Sequence, residues 1–374
     1  MVPSISPLQS GALLTANLGA LAANYKQLAA HAAPAQCSAV VKANAYGIGI
    51  EQAVPALSNA GCRTFFVAVV SEALRARAVS PESIIYVLNG LLPSTAPIYA
   101  EYNLRPVLGS QDEILEWQNF SLQSGFTGAV ALHVDTGMNR LGLRPQEAVK
   151  LHNNSAFKAI NFQLLMSHFV SSEELSNPLN TTQIDTLVEL KKHLEIPDIS
   201  ICNSSGFFLP QAPFMNMCRA GYALYGGNPT PNAPNRMQPV ITLEAPIIMV
   251  RDVESNETVG YNAQWSAKTP RRIAVISVGY ADGLSRQLTA TDTKQGGFAY
   301  ISGKLCPFAG RVSMDLITID VTDLPPEQAK RGTTVQLLGD KISVDDMASW
   351  ANTNGYEVLT SLGDRYARKY ITGV

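Results

Sequence analysis

Two textures of apolar patterning follow one another along the chain. In the first, β-branched or aromatic runs of about four to eight residues alternate with longer stretches in which apolar residues return at helical spacing. Leu18, Leu21, Tyr25 and Leu28 predict a helix over about residues 17–33, and Ala39-Val40-Val41 predicts a strand ending at Lys42. Ala53, Val54, Leu57 and Ala60 predict a second helix, and Thr64–Val69 a second strand. Ser71 is placed to cap a helix over 71–78, with Glu72 in the first turn, where the helix dipole favours an anion. Strands follow at 84–88, 105–108, 128–134 and 160–167, separated by helical stretches at 95–101, 114–117 and 147–153. A helix over about 182–194 leads to strands at 199–202 and 217–219. Eight short strands interleaved with helices predict an α/β fold, a closed (β/α)8 TIM barrel.

The second texture begins after Tyr225-Gly226-Gly227. Pro229, Pro231, Pro234 and Pro239, with Asn228, Asn232 and Asn235 among them, read as a linker. Beyond it the helical period largely disappears, and strand-like runs at 240–250, 272–278, 298–301, 316–321 and 333–338 are separated by Gly, Asp and Pro turns. One helix is expected over 344–351, with Ser343 as its cap. The expected layout is a barrel over residues 10–235 and a second, mostly β domain over 236–374.

At 374 residues and 46% hydrophobic the chain can fill two cores. Its net charge is -2, from 28 basic and 30 acidic residues, with no basic run to clamp a phosphate backbone, so nucleic acid is not an expected partner. The five cysteines are odd in number and scattered, which fits neither a disulfide ladder nor a metal site and suits a reducing compartment. Met1–Pro7 has no basic leader and no apolar run is long enough to cross a bilayer. A cytoplasmic protein with no metal and no membrane partner is expected.

The candidate chemistry centres on Ala39-Val40-Val41-Lys42-Ala43-Asn44-Ala45-Tyr46-Gly47-Ile48-Gly49. A lysine at the C-terminal end of a barrel strand costs desolvation unless its amine is used, and a Schiff base to a carbonyl cofactor is the commonest use. A surface lysine just past a strand is the plain alternative. Arg140 falls on a loop between Gly137 and Gly142, where a solvated arginine would be ordinary, and His168 ends the sixth strand, where a packed histidine would be. Asn203-Ser204-Ser205-Gly206 and Gly221-Tyr222 follow the last two strands, where hydroxyls and backbone N–H groups form a recurring phosphate cradle, or simply a polar turn. Arg219 lies in the eighth strand; Tyr261, Tyr280 and Met314 lie in the β domain and on their own read as packed residues.

Together these segments closely resemble those of the bacterial alanine racemases, pyridoxal-phosphate enzymes with a barrel and a β domain. The resemblance implies that Lys42 carries the cofactor and that Tyr46, Asn203, Ser204, Gly221 and Tyr222 surround its phosphate. It implies that Arg140 meets its phenolic oxygen and the substrate, that His168 lies beside the pyridine ring, and that Arg219 faces the ring nitrogen. Tyr280 of the partner subunit would be the second acid/base opposite Lys42. Met314 would lie near the substrate carboxylate across the interface, and Tyr261 at the substrate entrance. The implied activity is two-base racemisation of alanine in a cytoplasmic homodimer, supplying D-alanine for peptidoglycan. A broader amino-acid racemase, a decarboxylase or aldolase on a similar barrel, and a regulatory protein that carries the cofactor without turnover are the alternatives. Three positions depart from the family: Ile48 stands where a histidine is usual, His133 where many members have a carbamate-bearing lysine that orients the arginine, and Asp364 where some have another phosphate-binding tyrosine.

Overall fold

The computed structural model describes residues 9–152, 157 and 160–373. Met1–Pro7 and Asn153, the last residue of the expected 147–153 helix, lie outside them; the helix itself is Pro145–His152. The first strand, β1 (Leu13–Asn17), corrects the expected layout. Residues 13–17 were assigned to the barrel, but their strict alternation buries only Leu14 and Ala16, which suits a sheet with one covered face. Accordingly β1 pairs antiparallel with β10 (Ile241–Val253) and parallel with the C-terminal strand at Ala367–Ile371, inside the second domain's sheet. Asn17 then caps the helix Leu18–Ala32, its side chain accepting the Ala20 N–H at 3.0 Å.

The barrel consists of β2 (Gln36–Val40), β3 (Thr64–Val67), β4 (Ile84–Val87), β5 (Arg105–Leu108), β6 (Val130–His133), β7 (Phe162–Met166), β8 (Asp198–Ser200) and β9 (Met217–Ala220). Each pairs in parallel with its neighbour from β2 to β8, and β9 pairs with β2, with Cys37 opposite Cys218 and Ser38 opposite Arg219. The Arg219 N–H donates to the Cys202 carbonyl at 2.9 Å on the other side, which closes the ring. Buried runs such as Phe65-Phe66-Val67 and Leu164-Leu165-Met166 fill it, as strands covered on both faces require.

β2 ends at Val40, short of the expected Lys42, because the chain there turns left-handed. Ala43, Asn44, Ala45 and Tyr46 all have φ between 51 and 55°. Four consecutive residues with a Cβ in this region cost roughly 1–2 kcal/mol each, so the surroundings must hold them.

In the second domain the main sheet contains β13 (Arg271–Ile276), β14 (Phe298–Ile301), β16 (Ile317–Asp320) and β17 (Thr334–Leu338), at or near the predicted runs, around the 13-residue β10. The predicted helix is Val344–Trp350, and Ser343 caps it through the Asp346 N–H. A second short helix, Gly355–Thr360, follows. This domain packs on the rim of its own barrel next to Lys42. Arg368 donates to the Gly47 carbonyl at 2.6 Å, Tyr370 to the Ile48 carbonyl at 2.8 Å, and Tyr222 to the Asp345 carboxylate at 2.6 Å. Ile48, which replaces a histidine in the resemblance, is fully buried in this seam.

Candidate active site

At the C-terminal ends of the barrel strands, a cavity of about 120 Å³ brings together Lys42, Tyr46, His168, Asn203, Ser204, Arg219, Gly221 and Tyr222, with Val40, Leu88 and Tyr356 completing its wall. Residues drawn from five separate strand ends thus converge where barrel chemistry is expected.

Burial lowers the Lys42 amine below the usual lysine range, the guanidiniums of Arg140 and Arg219 push it the same way, and Glu72 opposes them. A larger neutral fraction makes it both a better nucleophile and a usable proton acceptor.

Arg219 is buried in the barrel interior. Nη1 donates to Ser200 Oγ at 2.6 Å, Nη2 to the Ser167 carbonyl at 2.7 Å, and the guanidinium lies 5.9 Å from the Phe66 ring centre. Burial lowers it to about 10, so it keeps its charge at neutral pH. Its Nη2 is 3.3 Å from His168 Nδ1, which can only accept from a guanidinium; the proton of the neutral ring is therefore on Nε2. Burial and the neighbouring cations hold His168 well below the usual histidine range.

Ser204 Oγ accepts the N–H groups of Gly221 at 2.9 Å and Ala223 at 3.2 Å, leaving its own O–H to donate. The Gly221 amide is thus joined to Ser204 in one cradle. A Cβ on Gly221 would stand 2.8 Å from the Tyr46 hydroxyl, so glycine is what lets that phenol approach. Asn203 shapes the loop, its Oδ1 accepting the Gly206 N–H and the Ser172 hydroxyl, both at 2.9 Å. A buried amine, a hydroxyl with a free proton, close-approach backbone and a fixed guanidinium fit an aldehyde-bearing, phosphorylated pyridine.

Tyr356 was missed as a site residue. Its ring stacks on Tyr222 with centres 4.2 Å apart and lies 6.2 Å from that of Tyr46. Asp364, which stands where some family members have a phosphate-binding tyrosine, is fully exposed, outside the cavity wall, and lies 3.8 Å from Arg368. Only the position of the helix Gly355–Thr360 on the barrel rim reveals Tyr356, since a single aromatic in a six-residue helix carries no signal of its own.

Arg140 does not line the cavity. It lies exposed on the loop after β6, within electrostatic reach of Lys42, His133 and His168. That loop is organised by Asp135, whose carboxylate accepts the Gly137 N–H at 2.9 Å and the Asn139 N–H at 3.0 Å. Burial raises the Asp135 carboxyl, but these backbone donors outweigh it and hold it below the usual range. Gln183, fully buried, donates to Thr136 Oγ1 at 3.0 Å and to the His168 carbonyl at 2.9 Å, tying the loops of Arg140 and His168 together. The loop is therefore held by backbone hydrogen bonds and a neutral network.

His133 carries no charge at neutral pH. Burial, with Arg219 and Arg140, lowers it from 6.5 to about 4 against the opposing pull of Asp135. Between those values the unfolded chain binds a proton that folded His133 refuses, so stability is full above about pH 6.5 and falls as the pH drops towards 4. The slope from one such group is at most about 1.4 kcal/mol per pH unit. Urea unfolding at pH 7, 6 and 5 is expected to show this decline, and His133→Gln to make it shallower, the rest coming from His168, which burial holds low in the same way.

Tyr280, Met314 and Tyr261 are not in the barrel cavity. They stand on the second domain, 38%, 53% and 69% exposed, too open for the packed positions they would otherwise fill. The Tyr280 N–H donates to the Ser313 carbonyl and the Ala281 N–H to the Met314 carbonyl, both at 3.0 Å, so the two segments form one platform. A Cβ at Gly279 would lie 2.3 Å from both carbonyl oxygens, which requires glycine there. The cavity beside Tyr280 shares no wall residue with the one that holds Lys42. A more open apolar groove of about 610 Å³, lined by Ile248, Met249, Tyr261 and Leu316 among others, runs along the same domain. Among the described residues no group of three His, Cys, Asp or Glu could hold a metal ion.

Residues 16–229 match the family described as alanine racemase, N-terminal domain, and residues 240–370 match alanine racemase, C-terminal domain. The chain is 50% identical over 363 residues to the alanine racemase of Methylobacterium nodulans, covering 97% of each. It is 40% identical to a catabolic alanine racemase of Mesorhizobium japonicum over 99% of this chain and 96% of that one. The crystal structure of alanine racemase from Bartonella henselae with covalently bound pyridoxal phosphate superposes with a TM-score of 0.91 at 38% identity, covering 96% of this chain and 99% of that one.

Proposed function

The chain belongs to the alanine racemase family, and from that premise we propose that its active sites are shared between the two protomers of a homodimer. Each site would take Lys42 from one protomer and Tyr280 from the other. The reaction is the pyridoxal-phosphate-dependent interconversion of L- and D-alanine, which sets aside the decarboxylase, aldolase and non-catalytic readings.

Bound pyridoxal phosphate withdraws electrons from the substrate's Cα and makes its hydrogen acidic. Inversion then needs a proton taken from one face and returned on the other. Lys42 Nζ serves one face, that of the D-isomer in the family pattern, and the Tyr280 hydroxyl of the partner subunit serves the opposite one, each alternating as acid and base. Lys42 also anchors the cofactor, while Tyr46, Ser204 with Gly221, and Tyr356 hold its phosphate end. Arg219 presents a fixed cation to the ring nitrogen, which disfavours a proton there. Arg140 orients the phenolic oxygen and the substrate, Met314 contacts the substrate carboxylate from across the interface, and Tyr261 guards the entrance.

The observation that carries the shared site is the exposure of Tyr280, Met314 and Tyr261 on one domain, apart from the cavity of their own barrel. The apolar groove beside them supplies surface for a two-fold contact. Among the described residues no helix is long and apolar enough to cross a membrane, and we place the enzyme in the cytoplasm, where D-alanine would feed peptidoglycan synthesis. Sedimentation across a dilution series, with activity measured in parallel, tests the assembly. A dimer is expected at micromolar concentration, with activity falling on dissociation; a fully active monomer would overturn the shared site.

A further inference from the structure

The left-handed turn after Lys42 is gripped from outside as well as within. Asn44 is its centre. Its N–H donates to Glu72 Oε1 at 3.3 Å, and its Oδ1 accepts Arg75 Nη2 at 2.7 Å and the Ile50 N–H at 3.2 Å. Glu72 Oε2 accepts the Ala68 N–H at 2.9 Å, fixing the carboxylate to the end of the neighbouring β3. Arg75 is held in turn by both Glu51 oxygens, at 2.6 and 2.7 Å. On the other side Arg368 and Tyr370 hold the Gly47 and Ile48 carbonyls. A backbone in a sparsely populated region persists only where its surroundings over-determine it, and such strain gathers at functional sites.

Lys42 and Tyr46 are the two ends of this turn, and both face the cavity. The conformation of the three residues between them decides whether amine and phenol can engage one ligand together. We propose that Glu72 and Arg75, acting through Asn44, are positioning residues that hold the left-handed turn and thereby aim Lys42. The inference rests on the reading of Lys42 as the residue that carries the cofactor. Helix dipoles and general packing cannot substitute for the clamp, because its three acceptors, Asn44 Oδ1 and the two Glu72 oxygens, are each matched to a named donor.

The test replaces Glu72 by glutamine, which keeps the volume but leaves one accepting oxygen where two are used. The apoprotein is mixed with pyridoxal phosphate, the rate of adduct formation is followed by absorbance, and the adduct is reduced with borohydride and located by peptide mass. The holoenzyme is assayed separately for kcat and KM. E72Q is expected to slow adduct formation at Lys42 and to lower kcat, each about tenfold, with KM for alanine changed less than about twofold. Ala43 is exposed, so A43G relieves the left-handed penalty at one of the four residues without altering packing, and in the E72Q background it is expected to restore a measurable part, at least about threefold, of both rates. Rescue by glycine would not follow from a general loss of fold or from the loss of charge near Lys42. If E72Q folds poorly, Arg75→Gln, which leaves Asn44 Oδ1 with the Ile50 N–H as its remaining donor, should slow adduct formation in the same direction. Rates within twofold of wild type in E72Q, or a loss that glycine does not restore, would overturn the proposal. Absence of any adduct at Lys42 in the wild-type protein would overturn the reading of Lys42 instead.

Discussion

Lys42→Ala is expected to remove alanine racemisation almost entirely, with kcat/KM falling by at least about 10⁴-fold, because one side chain performs two tasks. In the proposed mechanism it anchors the cofactor covalently and is one of two proton carriers. Its neighbours are arranged for both. Burial and two guanidiniums lower its amine while Glu72 restrains the shift, and Tyr46, at the far end of the same turn, faces the same cavity. Lys42 as a residue is only half-buried. The variant should therefore fold and still take up pyridoxal phosphate through Ser204 and the tyrosines, but without borohydride-stable attachment. Chiral chromatography of alanine after incubation gives the rate, and intact mass after reduction gives the attachment. A variant that still racemised within tenfold of wild type would remove Lys42 from the mechanism.

The second large effect is expected for Tyr280→Phe, and it should be lopsided. Removal of a single hydroxyl should lower racemisation by about 10²–10⁴-fold, the usual contribution of a positioned acid or base. Lys42 is untouched, so D-alanine in deuterated water should still exchange its α-hydrogen without inversion, while L-alanine exchanges slowly. Because Tyr280 is exposed on its platform and its ring has only Arg286 as a cationic neighbour, at 5.7 Å, the melting temperature should barely move. Equal loss of exchange from both isomers would contradict an opposite-face role.

Much of this was legible in the sequence because barrel strands buried on both faces leave continuous apolar runs, and because a lysine at the end of such a run is costly. The first located the barrel and its catalytic face, the second made Lys42 a candidate, and the resemblance to the alanine racemases singled out Lys42, His168, Ser204 and Arg219. Other parts follow from contacts between distant segments. Leu13–Asn17 is too short a run to announce a sheet, and its partners lie at Ile241–Glu244 and Ala367–Ile371. The left-handed turn contains no glycine between Lys42 and Tyr46, and Asn44 is the one residue there that favours positive φ, too weak a signal to announce four such residues in a row. Tyr356 reaches the cavity only because a domain folded from the end of the chain lies on the barrel rim. The loop of Arg140 is a similar case. His133 cannot supply an anion, and Gln183, one buried polar residue on a distant helix, joins that loop to His168.

The most direct test of a site built from two protomers is to mix Lys42→Ala and Tyr280→Phe proteins, each inactive as its own dimer, under conditions that let subunits exchange. In a mixed dimer one site would combine both defects, and the other would have Lys42 from one chain and Tyr280 from its partner, both intact. Half the dimers are mixed at equal concentrations, and each has one intact site, so activity should return to about a quarter of the wild-type value. Persistent inactivity of the mixture, with mixed dimers verified by mass, would mean that Lys42 and Tyr280 act within the same chain.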